Sequence, residues 1–128
     1  LNCRIKFFNT VVPSEVISIC KLAELGISPI ENLCKSYYYC LPNKIFEYIH
    51  AYLPVISSDF PEMTSIIKKY NIGLTFEIDS LESIAKTINL IYNDNNLYDK
   101  FHYNSKIASQ KLTWANEELK LIDIYNTI

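Results

Sequence analysis

Between Leu41 and Asp59 the chain reads Leu-Pro-Asn-Lys-Ile-Phe-Glu-Tyr-Ile-His-Ala-Tyr-Leu-Pro-Val-Ile-Ser-Ser-Asp, and no other stretch leaves it so little choice of fold. Pro42 cannot sit inside a helix, so a helix is expected to open at about Asn43, whose side chain suits an N-cap. Ile45, Phe46, Ile49 and Leu53 then share one apolar face at helical spacing. Lys44 and Glu47 lie on another face, near the positive end of the helix. Pro54 ends the helix, and Val55-Ile56 is the short apolar run of a buried parallel strand. Such a helix start at the edge of a parallel sheet is where α/β folds bind phosphorylated nucleotides.

The rest of the chain extends the alternation. Arg4–Phe8 alternates weakly and reads as a strand. Pro13 and Ser14 open a helix with Val16, Ile17, Cys20 and Ala23 inward. Leu25–Ile30 is a strand stopped by Pro29, and residues 31–42 form a long irregular loop, the candidate active-site loop. Pro61 starts a helix with Met63, Ile66, Ile67 and Tyr70 inward. Leu74–Ile78 is a further strand. Asp79-Ser-Leu-Glu82 has the form of a capping box, with Leu81, Ile84, Ile88 and Ile91 as the buried stripe behind it. Asn93–Asn96 breaks that helix, and another runs from about Leu97 to Leu112. Thr113 caps a last one, with Trp114, Leu121, Ile122, Tyr125 and Ile128 inward. The order β-α-β-α-β-α-β-α-α-α predicts a Rossmann-like, doubly wound parallel sheet with C-terminal helices.

Composition narrows the function classes. A chain of 128 residues makes one domain, and a net charge of −2 without a basic stripe argues against nucleic-acid binding. Lys68-Lys69 reads as a solvated helix end. No apolar run approaches a membrane span, and no signal-peptide pattern opens the chain. The chain begins with Leu rather than Met, so a longer N-terminal part is expected. The four cysteines, at 3, 20, 34 and 40, match no zinc or redox spacing. Small, buried, reduced thiols are expected, and neither a metal nor a cofactor is required. His50 reads as a surface residue and His102 as a structural one.

The Leu41–Ser58 stretch is similar to the donor-binding segment of GT-B glycosyltransferases of the family 4 type, whose C-terminal domains carry a pattern like P-x-K-x-x-E-x-x-A-x-G-x-P-V. Ala23-Glu-Leu-Gly-Ile-Ser-Pro29 resembles the strand before that motif. Pro61-Glu62 followed by Tyr70-Asn-Ile-Gly-Leu74 resembles the segment after it. Thr113-Trp114 resembles the start of the closing helix, over 113–128. The resemblance runs from about Val11 to Ile128 and departs from the family at two places. Tyr39 stands where the fuller motif has a second glutamate, and Tyr52 replaces a small helix-end glycine.

The resemblance implies the C-terminal half of a GT-B fold, a nucleotide-sugar-binding domain whose N-terminal acceptor domain lies elsewhere. It implies a hexosyltransferase-type enzyme with a UDP- or GDP-linked donor and a glycan or lipid-linked acceptor, as in polysaccharide biosynthesis, with retention of configuration. The fragment alone would be inactive. A cytoplasmic location is expected, at the inner face of the membrane if the protein associates with it peripherally. By the same resemblance Glu47 holds the donor ribose, while Lys44 and the backbone near Asn43 hold the diphosphate. Chemically this is sound: a carboxylate can accept both ribose hydroxyl protons, and a cation beside free amides neutralises phosphate.

From periodicity alone, the simpler reading is that Lys44 and Glu47 form an exposed i,i+3 pair worth roughly 0.2–0.5 kcal/mol. Glu31 either approaches the sugar or is a solvated loop charge. Tyr39, with Ser36–Tyr38, either lines the sugar site or packs the loop. Two other functions fit the same architecture, a sugar-nucleotide epimerase and a non-catalytic nucleotide-binding or interaction module.

Overall fold

The structure is a computed structural model that describes residues 4–127. Three short parallel strands, β1 (Gly26–Ser28), β2 (Val55–Ser58) and β3 (Gly73–Phe76), lie in the order β1-β2-β3. Gly26 faces Val55 in one ladder, and Val55 faces Gly73 in the other. Helices fill every connection: α1 (Pro13–Cys20) before β1, α2 (Lys35–Tyr38) and α3 (Asn43–His50) before β2, and α4 (Pro61–Tyr70) before β3. After β3 come α5 (Leu81–Asn93), α6 (Asn95–Lys111) and α7 (Trp114–Asn126). The result is an α/β fold with a parallel sheet between helices, the architecture of a Rossmann-like GT-B half.

Adjacent residues of β2 show why the sheet is covered on both sides. Successive strand side chains point to opposite faces. Val55 joins Ile45 and Ile49 of α3 and Met63 and Ile67 of α4 in one core cluster. Ile56 joins Phe76, Ile91 of α5 and Phe101 of α6 in the other. All four residues of β2 are buried, as the apolar run at 55–56 requires of a central parallel strand. Helix α6 passes the strands' entry ends, where the Ser105 hydroxyl donates to the Leu53 carbonyl at 2.8 Å. Asn104 Nδ2 donates to the Asn71 carbonyl nearby, at 2.7 Å.

The chain's two glycines both sit where backbone is closely approached. A Cβ on Gly26 would lie 2.3 Å from Cγ of Tyr48, whose ring lies over β1 and whose hydroxyl donates to the Ile27 carbonyl. A Cβ on Gly73 would lie 1.6 Å from the Val55 carbonyl oxygen. The turns out of α3 and α4 share one device. Leu53 N–H bonds the Tyr48 carbonyl and Tyr52 N–H the Ile49 carbonyl, while Ile72 and Asn71 do the same at the end of α4. This geometry needs positive φ, found at Tyr52 (65°) and Asn71 (50°). Asparagine tolerates it, whereas a tyrosine there is strained by about 1–2 kcal/mol. The Lys21 ammonium over the Tyr52 ring, at 5.2 Å, offsets part of that strain.

Several expectations need correction. Arg4–Phe8 forms no strand: it has no sheet neighbour, and Phe7 and Phe8 are exposed. Ala23 is exposed beyond the end of α1, and the loop 31–42 is interrupted by α2. Tyr38 anchors that helix against Phe60, ring centroids 5.1 Å apart. Asn43 is the first residue of α3 rather than its cap; Pro42 takes the cap position without a side-chain hydrogen bond. Ser80, not Asp79, caps α5 by accepting from Ser83 N–H, which rotates Leu81 into solvent. The cysteines are not buried: Cys34 is exposed, and Cys20 and Cys40 are half-buried, while Cys3 lies outside the described residues. The largest departure is α7, where Trp114, Leu121, Ile122 and Tyr125 are all exposed. Ile128, expected inward with them, lies outside the described residues.

Candidate functional site

Helix α3 sorts its residues as an amphipathic helix must. Ile45 and Ile49 are fully buried against the sheet, leaving Asn43, Phe46, Glu47 and His50 on the opposite side. Those four line a groove of about 650 Å³, within the size range of small-molecule sites. Ile17 of α1 contributes to its wall, as do Ile66 of α4 and, from the α6–α7 junction, Leu112, Thr113, Trp114 and Glu117.

Glu47 is half-buried. Among the described residues no side chain or backbone group engages its carboxylate, and the one ion pair joins Lys120 to Glu117. Lys44 and Glu47 are therefore not the surface pair that their spacing allows. The negative charge of Glu47 is felt by its neighbours. Burial, followed by that charge, pushes the Cys20 thiol above its ordinary value. Burial first, and then Cys20 and Glu47, push the Tyr48 phenol up as well.

The start of α3 carries no side-chain cap. Its first amides, those of Asn43 and Lys44, precede any residue that could accept from them within the helix, so they point outward as an anion-attracting end. Lys44 is exposed there and does not line the groove. The Ser58 hydroxyl fixes the exit of β1 at the same end of the sheet, donating to the Ile30 carbonyl and accepting from Ile30 N–H, each at 2.8 Å.

Asn43 and Glu47 thus share one groove, and Lys44, next to Asn43 in the chain, is exposed outside its lining. Glu31 and Tyr39 lie on two other concavities. Glu31 sits with Ser36, Tyr37 and Cys40 in one of about 470 Å³. Tyr39, which is 59 % exposed, sits with Asn32, Cys34 and Lys35 in one of about 360 Å³. Among the described residues no cluster of His, Cys, Asp and Glu could hold a metal ion.

Two residues of the groove have roles that sequence reasoning missed. His50 is not a free surface histidine: its Nε2 donates to the Leu112 carbonyl at 2.9 Å, tying α3 to the α6–α7 junction. Trp114 does not bury its ring in the core; it is 72 % exposed at the groove. His102 is exposed and stacks on Tyr98.

The parallel sheet between helices is the architecture of a Rossmann-like GT-B half, with the polar face of α3 bordering one groove. A family model described as glycosyl transferases group 1 matches residues 1–108, and the chain belongs to that family. The matched stretch contains α3 and its whole polar face and stops before α7. No curated protein and no solved structure matches the chain. Among the described residues no helix is long and apolar enough to cross a membrane.

Proposed function

We propose that this chain is the donor-binding part of a glycosyltransferase, taking a sugar from a nucleotide sugar to a glycan or lipid-linked acceptor. The observation that carries the proposal is the unpartnered, half-buried Glu47 carboxylate in a groove beside the uncapped start of α3. Glu47 accepts hydrogen bonds from the two ribose hydroxyls, each charge-assisted bond contributing roughly 1.5–3 kcal/mol. The Asn43 and Lys44 amides and the Lys44 ammonium receive the diphosphate just beyond.

In transfer, the bond from the sugar's anomeric carbon to the diphosphate oxygen breaks, and a bond to an acceptor hydroxyl forms. The diphosphate leaves with the electron pair, and charge grows on its oxygens. The Lys44 ammonium and the prearranged amides stabilise that charge. The helix end alone contributes about 0.3–1 kcal/mol at an exposed site, so Lys44 carries most of the effect. Glu31 and Tyr39, on the neighbouring concavities, are proposed to border the sugar. The acceptor is bound chiefly by a further domain, and the work takes place in the cytoplasm or at the inner face of the membrane.

A sugar-nucleotide epimerase of this architecture would need free acid–base groups near the sugar. Among the described residues lining the two concavities proposed for the sugar, Glu31 is the one carboxylate and there is no histidine, which favours transfer. A binding module without catalysis is favoured by one observation, the tyrosine at position 39 where the fuller motif has a glutamate. Calorimetric titration with UDP, GDP and ADP tests donor binding: saturable uptake of any of them is expected, and no uptake of all three overturns the proposal. Product analysis with a labelled donor then separates transfer from epimerisation and from mere binding.

A further inference from the structure

The groove that Glu47 lines also carries the chain's single tryptophan. An indole left 72 % exposed contributes little to stability, yet the turn that presents it is held firmly. His50 bonds the Leu112 carbonyl at 2.9 Å, and Thr113 Oγ1 accepts from Asn116 N–H at 3.3 Å. Asn116 Nδ2 donates to the Lys111 carbonyl at 2.9 Å. Phe46, one residue before Glu47 on α3, adds a second aromatic ring to the same wall. An aromatic surface on a hydrogen-bonded turn and an unpartnered carboxylate therefore border one cavity.

We propose that Trp114 is the stacking platform for the nucleobase of the donor. This rests on the assignment of Glu47 to the ribose. Base and ribose are directly bonded, so a ribose held by Glu47 keeps its base within this same groove. The base is bound by its π-face, which every nucleobase offers, and stacking on an aromatic side chain is sequence-tolerant. The platform belongs to α7, beyond the stretch matched by the family.

The test uses the 128-residue chain, whose one tryptophan makes its fluorescence a direct reporter. UDP, GDP and the base-free ribose 5-phosphate are titrated against the wild type, Trp114→Ala, Trp114→Phe and Glu47→Ala, with melting curves confirming that each variant is folded. UDP and GDP are expected to change the Trp114 emission, and ribose 5-phosphate to leave it unchanged. Trp114→Ala should weaken UDP and GDP by roughly five- to a hundredfold while sparing ribose 5-phosphate, and Trp114→Phe should retain most of the affinity. Emission unmoved by nucleotides that still bind through Glu47, or equal affinities in wild type and Trp114→Ala, would overturn the platform and leave the ribose assignment intact. Nucleotide binding that is indifferent to Glu47→Ala would overturn the ribose assignment instead.

Discussion

Helices α3 and α7 both carry apolar residues at helical spacing, and only one of them buries that stripe. In α3 the sheet and α4 cover Ile45 and Ile49 completely. In α7 no residue is buried, and Leu119, Leu121, Ile122, Ile124 and Tyr125 all face water. Periodicity decides which side of a helix is apolar; it does not supply the surface that covers it. The contrast also separates two sources of the groove. Helix α3 brings the charged face, fixed by its core contacts, and α7 brings an aromatic edge held only at its first turn.

The strongest challenge to this division lies at the sheet that holds α3 in place. Gly73→Ala forces a methyl group into the Val55 carbonyl, so a loss of at least about 4 kcal/mol is expected in urea unfolding, the range reserved for severe backbone conflict. Wild-type-like stability in that variant would show that the approach of β2 and β3 is looser than the geometry says. A truncation on each helix sharpens the contrast itself. Ile49→Ala should cost about 2–5 kcal/mol, whereas Ile122→Ala should stay within about 0.5 kcal/mol. Comparable losses at the two positions would mean that α7 is packed in solution.

Smaller effects probe the polar side of α3. Lys44→Ala should weaken nucleoside diphosphates by about 1 kcal/mol and spare nucleosides; equal loss for both would contradict its placement at the diphosphate. The least effect concerns Cys20, whose thiol is raised by burial and then by Glu47. A raised folded value means that the neutral thiol's contribution to stability is complete below the ordinary thiol range. It is lost as pH climbs through the raised one. Glu47→Gln removes the charge, so Cys20 should ionise at lower pH and alkylate faster in mildly alkaline buffer, as read by peptide mapping. An unchanged rate would place the Glu47 carboxylate away from α1.

Much of the sheet was legible because its signals are local. Pro42, Pro54 and Pro61 bracket α3, β2 and the start of α4 within a residue or two, and each acts through its own backbone. That Glu47 falls away from the buried face of α3 was legible for the same reason, being fixed by position within one helix. The helix caps slipped by one residue, at Pro42 and Ser80, because several neighbouring side chains could compete for each cap position. What escaped the sequence depends on distant partners. His50 and Leu112 are 62 residues apart, and nothing in either neighbourhood foretells their hydrogen bond. Trp114 was expected in the core because large aromatics usually go there, whereas no part of the core extends to α7. The weak alternation of Arg4–Phe8 failed as a strand because a strand needs a neighbour to bond with.

The central claim is that Glu47 is a nucleotide's ribose anchor, and its most direct test is the calorimetric affinity of GDP and UDP for wild type and Glu47→Ala, with melting temperatures alongside. Affinity should fall by roughly 2–4 kcal/mol while the melting temperature hardly moves, since the carboxylate has no partner in the folded protein. Unaltered affinity for both nucleotides, in a variant as stable as the parent, would contradict the account.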